Sequence, residues 1–420
     1  MIFEEINTFI SAVSSGFHSL SINKWRQNFL LEIFMLYLII PGRINFKQMS
    51  RYSMHSEQRF RNQFKKKFDF ITYNTSLIKP YLGKRTVISF DPSHITKSRE
   101  KTPYLGSFWS GSDQCIKKGL EIAEFSLLDI DSNQSFHLEA AQTPPVETLK
   151  TVSMTLPEWY AFSIISRKEK LQELSNIIVA DAYFSKITFI QPLIKEGFHV
   201  ISKFRDDANL RYLYTGEYSG SGRPAHFAGK VKLNDLDSEV FTQVDINEHT
   251  QAFYAVVNSK SLKRDILLVV ERKKDEKEKV NQRLIFSTDT QMDALEVLAC
   301  YHCRFQMEFN FRDAKQATRL NHAQARDLDK LYFHINASLT TVNIAKIIHL
   351  NQENKSAQPF SIADYKLLYH NAFMLNRFIE VFGIKPKTLK VITLSKNYFI
   401  SVLKPLNLNF FLTDYRKLKT

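Results

Sequence analysis

The chain has 420 residues, of which 44% are hydrophobic and 13% aromatic, and it carries a formal net charge of +14 at pH 7. This composition excludes a disordered chain, and the length predicts about two to four structural units. The basic balance favours a polyanionic partner, and three cysteines fit a reducing compartment better than a disulfide scaffold.

The charge is unevenly distributed along the chain. Residues 41–90 carry 11 Lys or Arg against 2 Asp or Glu, and residues 381–420 carry 8 against 1. Residues 91–200 are slightly acidic. Basic ends around a more acidic centre fit a chain whose two ends contact a polyanion.

Residues 1–80 are predicted to be helical, with an apolar helix near 24–40 that ends at Pro41-Gly42. The apolar stretch contains Glu32 and is too short to span a bilayer, so a buried helix is predicted rather than a membrane segment. The N-terminal sequence is acidic where a signal peptide is basic, so no targeting segment is expected.

Two short helices around a tight turn are predicted within residues 45–67. They suggest a helix-turn-helix motif, with Ser56 as the N-cap of the second helix. The alternative is a basic, solvated face on a helical bundle. We favour DNA contact because of the chemistry predicted downstream. This hypothesis assigns base and phosphate contacts to Arg59, Arg61, Asn62 and Lys65.

Two aspartates follow short apolar, β-prone runs. Asp91 ends the run 86–91 and Asp181 ends the run 176–181, so each is predicted at the end of a buried strand. The other predicted elements of this region are strands at 120–130, 135–141 and 198–203, and helices at 156–174 and 186–196. The pattern predicts an α/β sheet.

Residues 204–290 have a different character. A loop-forming stretch at 215–224 precedes strand-like runs at 253–257 and 266–270. This region is predicted to be a β-rich insertion. Residues 355–420 are predicted to be a basic C-terminal region, helical or mixed, that contacts either DNA or a second protomer.

Residues 291–350 return to a helical pattern, and one stripe of that helix carries Tyr301, Arg304, Glu308 and Lys315. At about 100° per residue these four side chains fall within an arc of about 60°. A carboxylate between two cations and a phenol suits a surface that holds a metal ion against a phosphate backbone. With two aspartates it completes a set of hard oxygen ligands for Mg²⁺ or Mn²⁺.

Each of these residues also has an ordinary explanation when it is considered alone. A lone strand-end aspartate is more often a turn or cap residue than a ligand. The Arg304 and Glu308 pair is usually a surface salt bridge. The motif Cys300-x-x-Cys303 suggests zinc, but no second Cys/His pair lies at a useful distance, so packing is favoured. Considered jointly, the acidic residues and the stripe favour an active site.

Together these motifs resemble those of DDE transposases of the IS-four family of insertion sequences. The family's Y-R-E-K signature is matched by Tyr301, Arg304, Glu308 and Lys315. The segments 90–94 and 181–184 resemble the family's first and second aspartate motifs, and the resemblance covers about residues 85–320.

The resemblance implies an α/β fold with an RNase H-like catalytic core, a mixed sheet flanked by helices. Residues 85–203 and 291–350 would form this core, interrupted by the β-rich insertion at 204–290. Residues 1–80 would form a helical DNA-binding domain.

The implied chemistry is phosphoryl transfer on DNA. Asp91, Asp181 and Glu308 would be both the catalytic residues and the ligands of two Mg²⁺ ions, with Mn²⁺ as the alternative ion, and Asp91 would bridge the two. The side chains implied to contact DNA beside the scissile bond are Tyr301, Arg304 and Lys315.

The implied partner is double-stranded DNA, both as terminal inverted repeats and as target, bound by a homodimer in a synaptic complex. The expected location is cytoplasmic and nucleoid-associated. Two alternatives stay open: a transposase-derived DNA-binding protein, and an RNase H-like nuclease that cleaves without strand transfer. Intact acidic residues argue against a role in binding alone.

Members of the resembled family often pass through a DNA hairpin that requires a flipped base, which a tryptophan in the insertion can hold. No Trp occurs between residues 201 and 290 here. Substitutes for this role are Tyr212, Tyr214, Phe253 and Tyr254, although core packing is favoured for any one of them.

Overall fold

The computed structural model describes residues 2–98, 100–111, 113–217, 225–274, 279–352 and 359–383. The chain divides into two compact units, the first made of Met1–Tyr81 with Arg312–Thr420 and the second of Leu82–Phe311. Most of the predicted loop 215–224 and the greater part of the predicted region 355–420 lie outside the described residues.

The described helices are α1 (Ile2–Ser15), α2 (Lys24–Ile39), α3 (Phe46–Arg51), α4 (Glu57–Gln63), α5 (Phe70–Ile78), α6 (Val146–Thr151), α7 (Leu156–Ile165), α8 (Lys168–Gln172), α9 (Ile187–Lys195), α10 (Ala294–Cys303), α11 (Gln306–Gln316), α12 (Leu328–Leu350) and α13 (Ile362–Val381). The described strands are β1 (Thr86–Thr96), β2 (Gly106–Ser110), β3 (Cys115–Asp129), β4 (Gln134–Gln142), β5 (Ile177–Val179), β6 (His199–Phe204), β7 (Leu210–Leu213), β8 (Phe227–Lys230), β9 (Thr242–Asn247), β10 (Thr250–Ser259), β11 (Arg264–Lys274) and β12 (Val280–Ser287).

The first unit is built around α12, which contacts α1, α2, α5 and α13. Every side chain from 333 to 348 is buried, so this helix has no solvent face. Its buried polar groups are paired: Asn74 Nδ2 donates to Thr340 Oγ1 at 3.0 Å, and Asn343 Nδ2 donates to Asn74 Oδ1 at 3.1 Å. No helix among the described residues is long and apolar enough to cross a membrane.

Helices α3 and α4 occupy the segment in which a helix-turn-helix was predicted. Ser56 caps α4, since its Oγ accepts a hydrogen bond from the Arg59 backbone N–H at 3.4 Å. Asn45 caps α3 in the same way, accepting from Gln48 N at 2.9 Å. Side-chain caps at both starts explain why two helices this short form here.

The second unit contains a mixed sheet, so the predicted α/β class with a mixed sheet flanked by helices is confirmed. Strands β1, β5 and β6 are neighbours in parallel pairs, and β3 runs antiparallel to β1. Helices α9 and α10 pack against its strands. Parallel strands need such crossover helices, which is why apolar strand runs alternate with helices in this part of the sequence.

The predicted insertion continues the same sheet. Strand β12 pairs antiparallel with β6, and β11, β10, β7 and β8 follow in order. The two strand-like runs predicted in this region lie within β10 and β11. The insertion and the core therefore share one hydrogen-bonded sheet within this unit.

The prediction that Asp91 ends its strand is wrong. Strand β1 pairs with β3 along its whole length, from Thr86 opposite Asp129 to Thr96 opposite Gly119. Strand β5 stops earlier, so the last part of β1 has no partner on that side and tolerates Pro92, which has no N–H to donate. Burial does end near Asp91, because every side chain from 87 to 90 is buried and the next four are half-buried.

Helix α10 is anchored to the sheet by an apolar cluster. Val297, Leu298, Cys300 and Cys303 are all buried in this cluster, which also takes in side chains of strands β1, β3, β5, β6 and β12. Burial raises the pKa of the Cys300 thiol to about 12 and that of Cys303 to about 11. Both thiols therefore stay protonated at neutral pH and pack as small apolar groups.

Candidate active site

Strand pairing sets the two aspartates side by side. Strands β1 and β5 pair in parallel with Ser89 opposite Val179. Asp91 and Asp181 each follow this last pair by two residues, and the charge of Asp181 acts on Asp91. The carboxylate of Asp91, in the middle of β1, and that of Asp181, just after β5, therefore lie close together.

Asp181 is held by the turn that follows β5. It is the N-cap of the 3₁₀ turn Ala182–Phe184, and its Oδ1 accepts from the Tyr183 backbone N–H at 2.9 Å. Its backbone carbonyl accepts from Ser202 Oγ at 2.7 Å. The Lys186 ammonium lies 3.4 Å from the centre of the Tyr183 ring. Asp181 thus has a fixed backbone and a cation nearby.

The two aspartates lie among other charges. Burial, followed by the charge of Asp181, raises the pKa of Asp91 to about 8; Glu308 acts in the same direction and Arg304 in the opposite one. Burial also raises the pKa of Asp181, against the effects of Arg304 and of the Tyr183 N–H. These shifts show that Asp91, Asp181, Glu308 and Arg304 are close enough to interact electrostatically.

The prediction of one straight helix through the stripe is wrong. Helix α10 ends at Cys303 and α11 begins at Gln306. In the turn between them, the Phe305 and Glu308 backbone N–H groups donate to carbonyls three residues back, at 3.3 and 3.1 Å, as in a 3₁₀ helix. No Gly or Pro occurs here. Local propensity gave no signal of the break, which packing must therefore impose.

Arg304 remains next to Glu308 across this turn. Arg304 Nη2 lies 3.6 Å from Glu308 Oε1, and the Glu308 side chain is 47% exposed, so its carboxylate is accessible. The Arg304 guanidinium carbon lies 5.9 Å from the Tyr301 ring centre, within cation–π range. Burial raises the pKa of Tyr301. Lys315 lies in the last turn of α11.

The donor chemistry fits a hard divalent cation. Asp91, Asp181 and Glu308 offer only carboxylate oxygens, which Mg²⁺ and Mn²⁺ prefer. The raised pKa of Asp91 reflects burial first and then repulsion from Asp181, and a bound cation would favour the charged form against both. As the side chains are placed, no group of three or more His, Cys, Asp or Glu among the described residues could hold a metal ion.

Three polar residues near the acidic cluster of Asp91, Asp181 and Glu308 were not predicted from the sequence. Glu124 lies opposite Asp91 in the β1–β3 pair and is fully buried. His137 and Asn310 contact it. The available signal was a glutamate inside the run 122–128, which is otherwise apolar except for Ser126. A buried charge of this kind needs partners, so it marks a polar site within the core.

The N-terminal residues predicted to contact DNA already have partners within the chain. The Arg59 guanidinium stacks on the Trp25 ring at 4.9 Å. Arg61 Nε donates to Glu57 Oε1 at 2.9 Å, four residues earlier on α4. Both cations are therefore held in place.

Asn62 and Lys65 are also engaged. Asn62 Oδ1 accepts from Gln58 Nε2 at 2.8 Å. Lys65 Nζ lies 3.4 Å from Asp327 Oδ2, in an ion pair in which 55% of the lysine side chain is exposed. Exposed pairs of this kind contribute little to stability, so DNA phosphates can compete for Lys65.

No match was found among curated proteins. One family model, described as "Transposase DDE domain", matches residues 137–344. The matched range includes Asp181 and Glu308, and it begins after Asp91. Residues 137–344, which form almost half of the chain, are thus similar to the DDE domain of transposases.

Proposed function

We propose that this protein is a DNA transposase of the IS-four family, with Asp91, Asp181 and Glu308 as its catalytic carboxylates. The observation that carries the proposal is the proximity of Asp91 and Asp181 just beyond the paired part of β1 and β5, with Arg304 acting on the charge of both and Glu308 on that of Asp91. The match of residues 137–344 to the transposase DDE domain supports the reaction class.

In this proposal the three carboxylates hold divalent metal ions, which transposases of the DDE type normally use. Such ions, when bound, activate an attacking oxygen and neutralise a leaving oxygen at the phosphate. Asp181 is already oriented for a ligand role, because its N-cap hydrogen bond fixes its side chain. Asp91 must lose its proton to become a ligand, and a nearby cation favours that loss.

The basic side chains of the signature then hold the DNA. Arg304 is positioned to pair with a phosphate beside the scissile bond, because its guanidinium lies between Tyr301 and Glu308. The Tyr301 ring makes a cation–π contact with that guanidinium, and the Tyr301 hydroxyl donates a hydrogen bond to a phosphate. Lys315 supplies a second phosphate contact from the last turn of α11. The reaction then depends on positioning and charge.

The proposed partners are DNA and a second protomer. The substrates are terminal inverted repeats and target DNA, joined in a complex of two protomers. Residues 45–67 would contact the repeats through Arg59, Arg61, Asn62 and Lys65. The basic balance of +14 supports a DNA partner because it favours association with a polyanion.

The test incubates the protein with Mg²⁺ and DNA that carries the inverted repeats flanking its gene. The proposal expects nicked ends followed by joined products. Nicking without joining indicates a nuclease, and binding without cleavage indicates a transposase-derived DNA-binding protein. The variants Asp91→Asn, Asp181→Asn and Glu308→Gln should each abolish cleavage while they preserve DNA binding. Unchanged cleavage in any one of them removes that residue from the catalytic set.

A further inference from the structure

A fully buried polar cluster joins α11 to strands β3 and β4. Asn310 Nδ2 lies within donating distance of Glu124 Oε1 (3.3 Å), Ser126 Oγ (3.2 Å) and Ser135 Oγ (3.0 Å). His137 Nδ1 lies 3.0 Å from the same Glu124 oxygen, and Ser126 Oγ donates to it at 2.9 Å. Each of these five side chains is at most 1% exposed.

This cluster includes residues of α11, which carries Glu308, and of β3, the strand next to the one that carries Asp91. Glu124 lies directly opposite Asp91 on the neighbouring antiparallel strand, so the two side chains share one face of the sheet. Asn310 lies two residues after Glu308 on α11. Hydrogen bonds from Asn310 therefore connect α11, which carries Glu308, to β3, the strand that pairs with the one carrying Asp91.

Ordinary core packing does not require such a cluster. The other buried residues of α11 are Met307, Phe311, Asp313 and Ala314, of which Asp313 alone is polar. Apolar contacts are non-directional and would permit small shifts of a helix along a sheet. A buried amide whose two N–H groups are surrounded by three acceptors favours the arrangement that keeps them hydrogen-bonded, because lost hydrogen bonds inside a core are costly.

We propose that Asn310 is a positioning residue: through Glu124, Ser126 and Ser135 it fixes α11 so that Glu308 stays beside Asp91 and Asp181. This inference rests on the proposed function of the three carboxylates. It assigns to Asn310 no contact with DNA or metal. Its role is to set the distance between the third carboxylate and the other two.

The test compares Asn310→Leu with a matched control, Asn258→Leu, in the full-length protein. Leucine fills a similar volume without hydrogen bonds. Asn258 is also buried in the second unit, where it accepts from Arg211 at 2.7 Å and donates to Asp265 at 2.6 Å. Two properties are measured for each variant: the rise in melting temperature on adding Mn²⁺ alone, and the Mn²⁺ concentration that gives half-maximal DNA cleavage.

Asn310→Leu should raise the half-maximal Mn²⁺ concentration by about 10–100-fold, as expected when a group that orients a metal ligand is removed. It should also lose most of the Mn²⁺-induced rise in melting temperature. Asn258→Leu should keep both properties within about threefold of wild type. A control-like response of Asn310→Leu would overturn the inference.

A second variant covers the case in which Asn310→Leu does not fold. The double substitution Ser126→Ala with Ser135→Ala removes two acceptors and leaves Asn310 in place, and it should show the same two losses. Wild-type retention of both properties in the double variant contradicts the inference. Failure of the proposed function would give a different result. In that case Mn²⁺ would raise the melting temperature of wild type no more than that of Asp91→Asn.

Discussion

At the scale of single residues, the acidic cluster opposes the stability of the metal-free protein. Burial and the neighbouring carboxylates hold the pKa of Asp91 at about 8, well above its usual range. A protein keeps such an arrangement when the same charges serve its activity, since functional sites often trade stability for function. Replacing Asp91 by its neutral amide should separate the two effects.

Asp91→Asn should stabilise the metal-free protein and abolish cleavage. The folded-state pKa of about 8 lies above the unfolded value of about 4, so the contribution of Asp91 to stability is present at low pH and is lost as pH rises through about 8. In a chelating buffer, the melting temperature of wild type should fall relative to that of Asp91→Asn between about pH 4 and pH 8. Parallel melting curves across this range would contradict the assigned environment.

Arg304 should matter through both its charge and its shape. Its charge acts to lower the pKa of both aspartates, against the raising effect of burial, and it lies 3.6 Å from Glu308. Arg304→Gln should reduce cleavage by about 100-fold or more, and Arg304→Lys by about tenfold, because lysine keeps the charge but loses the planar fork. Arg85→Gln is the control, since Arg85 pairs with Asp131 at the start of β1. Equal rates for lysine and arginine at 304 would show that only charge counts.

At the scale of elements, the sequence predicted strands better than their ends. The predicted strands at 120–130 and 135–141 correspond to β3 and β4, because β-prone runs separated by a turn are typical of strands. The extension of β1 beyond Asp91 was missed because it begins with Pro92, a residue depleted in strands, and depends on pairing with residues 119–123 of β3. The break before α11 was missed because Arg304 and Phe305 carry no helix-stop signal.

The candidate site was predictable in its residue types and not in its geometry. Asp91 and Asp181 could be chosen from the runs that precede them, yet only the pairing of β1 with β5 brings them close together. Asn310 could not be chosen at all. An asparagine in a helix usually faces solvent, and its burial here depends on acceptors from β3 and β4, far away in the sequence.

Helix α4 should bind DNA more tightly when Arg61 is released from Glu57. Arg61→Ala should weaken binding to the inverted repeats and reduce the salt dependence by about one phosphate contact. Glu57→Gln should strengthen binding, because it frees the guanidinium and removes a negative charge. Affinities measured over a range of salt concentrations check both changes. Unchanged affinity in both variants would place α4 away from the DNA.

Lys366 should make the stability of the first unit depend on pH. Its Nζ donates to the Tyr37 carbonyl at 3.0 Å, a group that has no helical partner because Pro41 lacks an N–H. Burial lowers the pKa of Lys366 to about 7. The charged form is thus disfavoured in the folded state, and stability should rise as pH increases from about 7 toward 10.

The measurement compares wild type with Lys366→Met. The melting temperature of wild type minus that of the variant should increase between about pH 7 and pH 10, because the wild-type lysine becomes neutral while it still donates its hydrogen bond. The subtraction removes groups that titrate identically in both proteins. A constant or falling difference would show that Lys366 is not desolvated in solution.

At the scale of the whole molecule, the function depends on bringing distant parts of the chain together. Asp91, Asp181 and Glu308 are spread over more than 200 residues, and the sheet and α11 converge on one place. The family match covers the range from β4 to α12, so it includes residues from both compact units. The net charge of +14 supports a nucleic-acid partner for the full chain.

The most direct test of the central proposal is strand joining by the full-length protein on DNA that carries the flanking inverted repeats. With Mg²⁺ or Mn²⁺, wild type should produce nicked ends and joined products. Asp91→Asn, Asp181→Asn and Glu308→Gln should bind the same DNA and produce neither, with rates reduced by at least about 1,000-fold. Metal-dependent cleavage that survives in any of the three variants would contradict a catalytic site built from these carboxylates.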